Sequence, residues 1–378
     1  MQERKPQKAT IADARPENDA FKPVPARYTS LDDPFHMRIH MPLMLEALEL
    51  MRNHSPLGAE LYDWAKRRQV KFRFEDSYAL ASFTAGSRMV RVNPNAASLN
   101  TMVHLIAHEL MHGVQFDNKG GTYSNEWDVR SHLKRSLYLE SGAVAAQMRM
   151  AYEMKLNGYP GVWQSVVDPS DIKDETLRSR AQAYSEVGLM FEEAFESAEA
   201  EGKTQEECLK AGATAAYKGR MESQDLRNRY NTKLLSHYFR DSAYLKARAV
   251  KMDDDRTEAC TRIKEEFVVN LEDVTKPQTD EDIFGDNKLM RDAADYLEVF
   301  RAMHGKERDL WDAETDMMRR DMVQKGNVFV GVESMYVLWI MKDESRAVLD
   351  VLCELAKVAP DGSRKIITKP QARQGGMR

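Results

Sequence analysis

Apolar residues recur every three or four positions through "DPFHMRIHMPLMLEALELMRNH", where Met41, Met44, Leu45, Leu48 and Met51 share one stripe, and again through "PLGAELYDWAKRR". That period predicts two amphipathic helices, with the methionines as core packing. The pattern then shortens to strict alternation: in "VKFRFED", Val70, Phe72 and Phe74 alternate with Lys71, Arg73 and Glu75, as in a half-buried strand. "YALASFTAGSRMVRVNPN" adds two short β-type runs about an Ala85-Gly86-Ser87 turn, a hairpin. Pro94 and Asn95 end the last run, and Asn95 or Ser98 is placed to cap a helix that continues through Gln115.

After the Gly- and Asn-rich "FDNKGGTYSNEWD", helical spacing runs almost unbroken from about Val129 to about Lys251, with breaks expected at residues 157–161 ("NGYPG") and near Gly202. The predicted fold is α+β and predominantly helical: a small antiparallel sheet or hairpin packed on the helix after it, then a long helical region. Residues 1–30 carry charge and proline without an apolar period and read as a flexible arm. Residues 31–250 read as the main domain and the acidic stretch 251–285 as a boundary. Residues 286–358 read as a helical C-terminal segment and 359–378 as a basic, disordered tail.

With 378 residues, 42% of them hydrophobic, the chain supports a sizeable core. A net charge of -5 offers no basic face, and no nucleic-acid partner is expected. Cys208, Cys260 and Cys353 form no C-x-x-C pair, which argues against a disulfide framework or a thiolate metal site and fits a cytoplasmic setting. The first residues lack the apolar core of a signal peptide. The most apolar later stretch, "VFVGVESMYVLWIM", is interrupted by Glu333 and is shorter than the roughly 18 to 20 residues of a membrane span.

The candidate chemistry lies in "LIAHELMHGVQ", residues 105–115. On a helix, His108 and His112 lie on one face a turn apart, so both can direct a ring nitrogen at one cation. Zinc takes imidazole nitrogen and, in catalytic sites, three protein ligands with one position left open. Zinc lowers the pKa of a water toward about 7, and Glu109, directly after the first histidine, is placed to accept that water's proton. Met102, Val103, Ile106, Leu110 and Val114 surround the motif at helical spacing, so the helix is of the buried type. His104 and His112 are about 12 Å apart along the axis, which makes His104 a packing or supporting residue and not a third ligand.

Gln115 and Asn118 stand where a metzincin has its glycine and third histidine, so that pattern is excluded. Glu140 sits among Leu137, Leu139, Ala143 and Val144 in "RSLYLESGAVAAQMRMAYEMK", a place where a lone charge is awkward and a bound cation removes the awkwardness. Asp128, His132 and Glu153 are competing third ligands.

"HELMH", followed 28 residues after His112 by "LESGAVAAQ", resembles the gluzincin pattern, H-E-x-x-H plus a glutamate from a later helix. Together with "RVNPN" and "ECLKAGATAAYKGRMESQDLRNRYNTKLLSHYF", the layout over roughly residues 60–240 resembles a bacterial family of proposed zinc metallopeptidases with a compact gluzincin-like core. The resemblance implies one zinc ion per chain on His108, His112 and Glu140, with Glu109 as general base and a peptide or protein as substrate. For the oxyanion of such a reaction, "NRYNTKLLSHYFR" offers Tyr230, His237 and Tyr238. The alternative is a non-catalytic protein in which zinc clamps a helix pair.

Overall fold

The first two helical stripes form α1 (Pro42–His54) and α2 (Pro56–Arg68) in a computed structural model that describes residues 42–302 apart from 78, 97, 239–250, 252–254 and 275. Met44, Leu45, Leu48 and Met51 are buried as the stripe requires; Met41 lies outside the described residues, as do the expected arm (1–30), the rest of the C-terminal segment (303–358) and the basic tail. Ser55 caps α2 by accepting from the Gly58 N–H, with Pro56 at the first helical position where its missing N–H does no harm.

Three short strands follow: β1 (Lys71–Phe74), β2 (Ala81–Thr84) and β3 (Met89–Val92). The expected hairpin pairs β2 with β3 antiparallel, Ala81 opposite Val92. The connection through residues 75–80 carries the chain past β3, so β1 joins its other side in parallel, Lys71 beside Met89, and the sheet is mixed. Val90 and Val92 of the central strand are fully buried, while β2 is left at an edge against the next helix.

That helix is α3 (Leu99–Asp117), capped by Ser98, and most of it is buried. α4 (Val129–Leu156), capped by Asp128, packs along it. The remainder is α5 (Gly161–Val167), α6 (Glu175–Ala200), α7 (Gln205–Glu222) and α8 (Gln224–Tyr238). The breaks expected at 157–161 and near Gly202 occur, and there are two more, at residues 168–174 and at Ser223. The structure is thus predominantly helical with two small sheets, as the periodicity implied.

Residues 255–285 depart from the expected acidic boundary, because they are packed into the body. They form α9 (Thr257–Thr261), a two-stranded sheet of β4 (Arg262–Ile263) and β5 (Glu266–Phe267), and α10 (Asp280–Phe284). Arg256, just before α9, donates to the Gly120 and Thr122 carbonyls and stacks on Trp127, and Cys260 is fully buried. Charge density alone is a poor guide here, because the apolar positions between the charges, among them Ile263, Val268, Val269, Ile283 and Phe284, reach the apolar clusters. α10 and α11 (Lys288–Ala302) form a second apolar cluster with the start of α4 and with Leu235 of α8.

Gly113, immediately after the motif, sets the approach of α2 to α3. A Cβ there would lie 2.1 Å from Cη2 of the Trp64 ring. Gly113→Ala is therefore expected to destabilise the protein by about 1–3 kcal/mol, as overpacking does. Denaturant melts of the variant beside wild type check this, and an unchanged midpoint would refute it.

Candidate metal and active site

α3 presents His108 and His112 on one face, and α4 presents Glu140 opposite them. His108 Nε2 lies 3.5 Å from Glu140 Oε2, and His112 Nε2 lies 3.6 Å from Glu140 Oε1. All three donor atoms fall within 4.8 Å of one another, and they are the one such His, Cys, Asp and Glu cluster among the described residues. Ligands bound to zinc at about 2.0–2.2 Å in a tetrahedral arrangement stand at similar separations. The buried Glu140 Oε2 has no hydrogen-bond partner among the described residues.

Two glutamines set the histidine tautomers. Gln147, also on α4, takes the Nδ1–H of His108 on its Oε1 at 3.0 Å and donates from Nε2 to His104 Nδ1 at 2.7 Å. Gln115 takes the Nδ1–H of His112 at 2.9 Å, while its Nε2 donates to the Leu139 carbonyl at 2.8 Å and the Cys260 carbonyl at 2.9 Å. Because that amide is spent on two carbonyls, its oxygen must face His112. Each ring thus keeps its Nε2 lone pair for a cation. Gly142 makes the second arrangement possible: a Cβ there would lie 2.2 Å from the Cys260 carbonyl oxygen.

Gln115→Leu and Gln147→Leu should each weaken metal binding by roughly 10–100-fold, the usual effect of losing such a supporting group. Competition with a chelator of known affinity measures it, and wild-type affinity in both variants would remove the tautomer argument.

Burial pushes the Glu109 carboxyl up to about 7, against the opposing influence of His112, Lys233 and a hydrogen bond from the Phe83 backbone of β2. Glu140 is buried too, but His112, His108 and Arg220 outweigh the burial and hold its carboxyl well below the usual range. The two glutamates are therefore driven apart, Glu140 to a permanent anion and Glu109 to a group that exchanges a proton near neutrality. Burial and the neighbouring His108 push His104 down to about 3, so it stays neutral and accepts from Gln147.

The competing ligands are elsewhere. Asp128 caps α4 through the Ser131 N–H, and His132 is fully buried against Tyr123 and Trp127. Glu153 is tied to Ser55 Oγ (2.6 Å), the Leu57 N–H (3.0 Å) and Arg149 (2.9 Å), where it joins α4 to the start of α2. Tyr230 does approach the site: its hydroxyl is 3.0 Å from that of Tyr184 on α6, and the Glu140 charge acts on both phenols, which burial raises above their usual range. The side chains of His237 and Tyr238 lie outside the described residues.

Sequence reasoning passed over Gln147, Tyr184 and Arg220, and read Gln115 only as excluding the metzincin pattern. Gln147 had a legible signal, since seven residues after Glu140 is two turns along the same face. Arg220 had only its setting among small and apolar residues in "AGATAAYKGRM".

Over residues 29–262 the sequence matches the family described as "Putative metallopeptidase family (DUF6782)", and the chain belongs to that family. The matched span includes α3, α4 and every residue of the His, His, Glu cluster. No curated protein and no solved structure matches the chain. No helix among the described residues is long and apolar enough to cross a membrane.

Proposed function

We propose that the protein is a zinc-dependent peptidase in which His108, His112 and Glu140 hold one zinc ion per chain and Glu109 is the general base. The observation that carries this reading is the convergence of two imidazole nitrogens and one carboxylate from α3 and α4, with the buried Glu109 next in sequence to the first histidine. Zinc held there supplies Lewis acidity, making water acidic near neutral pH and polarising a substrate carbonyl. Glu109 takes the proton of the attacking water and passes it to the departing amine, the two tasks of a general base that then acts as general acid.

The edge strand β2 runs beside Glu109, and an extended peptide can pair with such an edge through its backbone. Tyr184 and Tyr230, kept protonated by burial, supply hydroxyl donors for the oxyanion. A non-catalytic zinc clamp would call for a closed shell of four protein ligands, so a metal-bound water would favour the catalytic reading over it.

Chelation followed by reloading tests the proposal. Hydrolysis of a mixed peptide library, read by mass spectrometry, should vanish on chelation and return with one equivalent of zinc. Cleavage that persists in the fully chelated protein would refute it.

A further inference from the structure

The contacts that orient His112 do not end at Gln115. The Cys260 carbonyl, which accepts from Gln115 Nε2 at 2.9 Å, lies near the end of α9 and also presses on Gly142, two residues past Glu140. It therefore bears on both helices that carry the cluster. The Leu139 carbonyl takes the other N–H of the same amide at 2.8 Å, so Gln115 is fixed only while both acceptors are in place.

The five residues of α9 are too few for a helix that is stable alone, and its seat comes from its flanks. Just before it, the buried Arg256 shares Nη1 among the Gly120 and Thr122 carbonyls, both at 3.1 Å, and the Thr122 hydroxyl at 2.7 Å. Its guanidinium lies 4.4 Å from the centre of the Trp127 ring. Just after α9, the Arg262 carbonyl accepts from the Asn118 side-chain amide at 2.7 Å. Between these points Gly120 leaves room for Cys260, since a Cβ there would lie 2.8 Å from the Cys260 sulfur. Asn118, Gly120, Thr122 and Trp127 all belong to the turn that joins α3 to α4. α9 is thus clasped to the connection between the two helices of the cluster, and the clasp delivers the Cys260 carbonyl to Gln115.

We infer that Arg256 is a positioning residue for the metal site, acting through the Cys260 carbonyl and Gln115 on His112. The inference rests on the metal reading of the cluster and not on peptide hydrolysis. A planar guanidinium serves several acceptors and an aromatic face at once, which an ammonium does less well. The coupling is reciprocal: if a seated α9 favours zinc, zinc favours the seated α9.

Zinc affinity of the full-length protein, measured by competition with a chelator of known affinity, tests this. Arg256→Met should weaken zinc binding by about 3- to 30-fold, the range for a group that acts through intermediates, and Arg256→Lys should recover part of the loss. Two double variants separate positioning from general support of the fold. In a Gln115→Leu background Arg256→Met should have no further effect on zinc; in a Gln147→Leu background, where the lost glutamine served His108, it should keep its full effect. Unchanged affinity in Arg256→Met, or the same loss in both backgrounds, overturns the inference.

Hydrogen exchange keeps the test open if the Met variant does not fold. Zinc should slow amide exchange in α9 of wild type, and by less in zinc-saturated Gln115→Leu. Equal slowing in the two proteins overturns the inference.

A wild type that binds no zinc overturns this inference and the proposed function together. Zinc-dependent cleavage in a protein whose affinity ignores Arg256 overturns this inference alone. Arg256-dependent zinc binding without cleavage of any peptide keeps it and sinks the peptidase reading.

Discussion

Replacing Glu109 with glutamine should lower peptide hydrolysis by about 10²- to 10⁴-fold, the usual range for a lost general base, while leaving one zinc ion per chain. The side chains are nearly isosteric, and Glu109 is not among the three clustered donors, so the metal is expected to stay. Elemental mass spectrometry together with peptide cleavage separates the two effects. A fully active variant would exclude Glu109 as the base, and a metal-free one would make it a ligand.

The same substitution has a second, independent consequence in the metal-free protein. Burial raises the Glu109 pKa from the ordinary glutamate value to about 7. A group whose folded pKa is raised favours the folded state below its unfolded pKa, and that advantage is lost as pH rises through the folded pKa. Glu109→Gln removes the burden of a buried charge. Metal-free variant and wild type should therefore be similar in stability near pH 4, diverge between about pH 4.5 and 7, and differ by about 3 kcal/mol above that, with the variant the more stable. Denaturant melts across this range check the sign; a wild type that gains stability relative to the variant as pH rises would contradict the burial argument.

Glu140→Ala should abolish both zinc retention and activity. The carboxylate is the one donor that α4 adds to the cluster, and its loss also leaves two histidines on α3 without the anion that faces them. The effect should exceed the 10–100-fold of an outer-shell change. Glu153→Ala is the matched control: it removes a charge from the same helix, but one tied to Ser55, Leu57 and Arg149. Leaving Arg149 buried and less well paired should destabilise the protein by about 3–5 kcal/mol with zinc stoichiometry unchanged. Metal analysis and melts of the two variants side by side decide the matter; zinc kept in Glu140→Ala or lost in Glu153→Ala would assign the third ligand wrongly.

Much of this architecture was legible from residue spacing. A change of apolar period from about 3.6 to 2 and back located α1, α2, the strands and α3, because burying one face of a helix or strand leaves that mark locally. His108, Glu109 and His112 were legible for the same reason: their relation is internal to a single helix, and four residues make one turn. The sequence determined, by itself, that a histidine pair and a glutamate sit together on a buried helix.

What only the tertiary structure decided are relations between segments far apart in the chain. Glu140, Asp128, His132 and Glu153 all had suitable chemistry, and which of them stands beside the two histidines depends on which turn of α4 faces α3. The tautomer of His112 is set by a glutamine held by the Cys260 carbonyl, 145 residues away, through the space left at Gly142. The parallel pairing of β1, the burial of Cys260, Ile263, Val268 and Val269, and the enclosure of Arg220 beside Tyr230 belong to the same class. Local periodicity reports which face of an element is buried, but not what it is buried against, and the packing of α4 on α3 and of α7 on α4 supplies that second half.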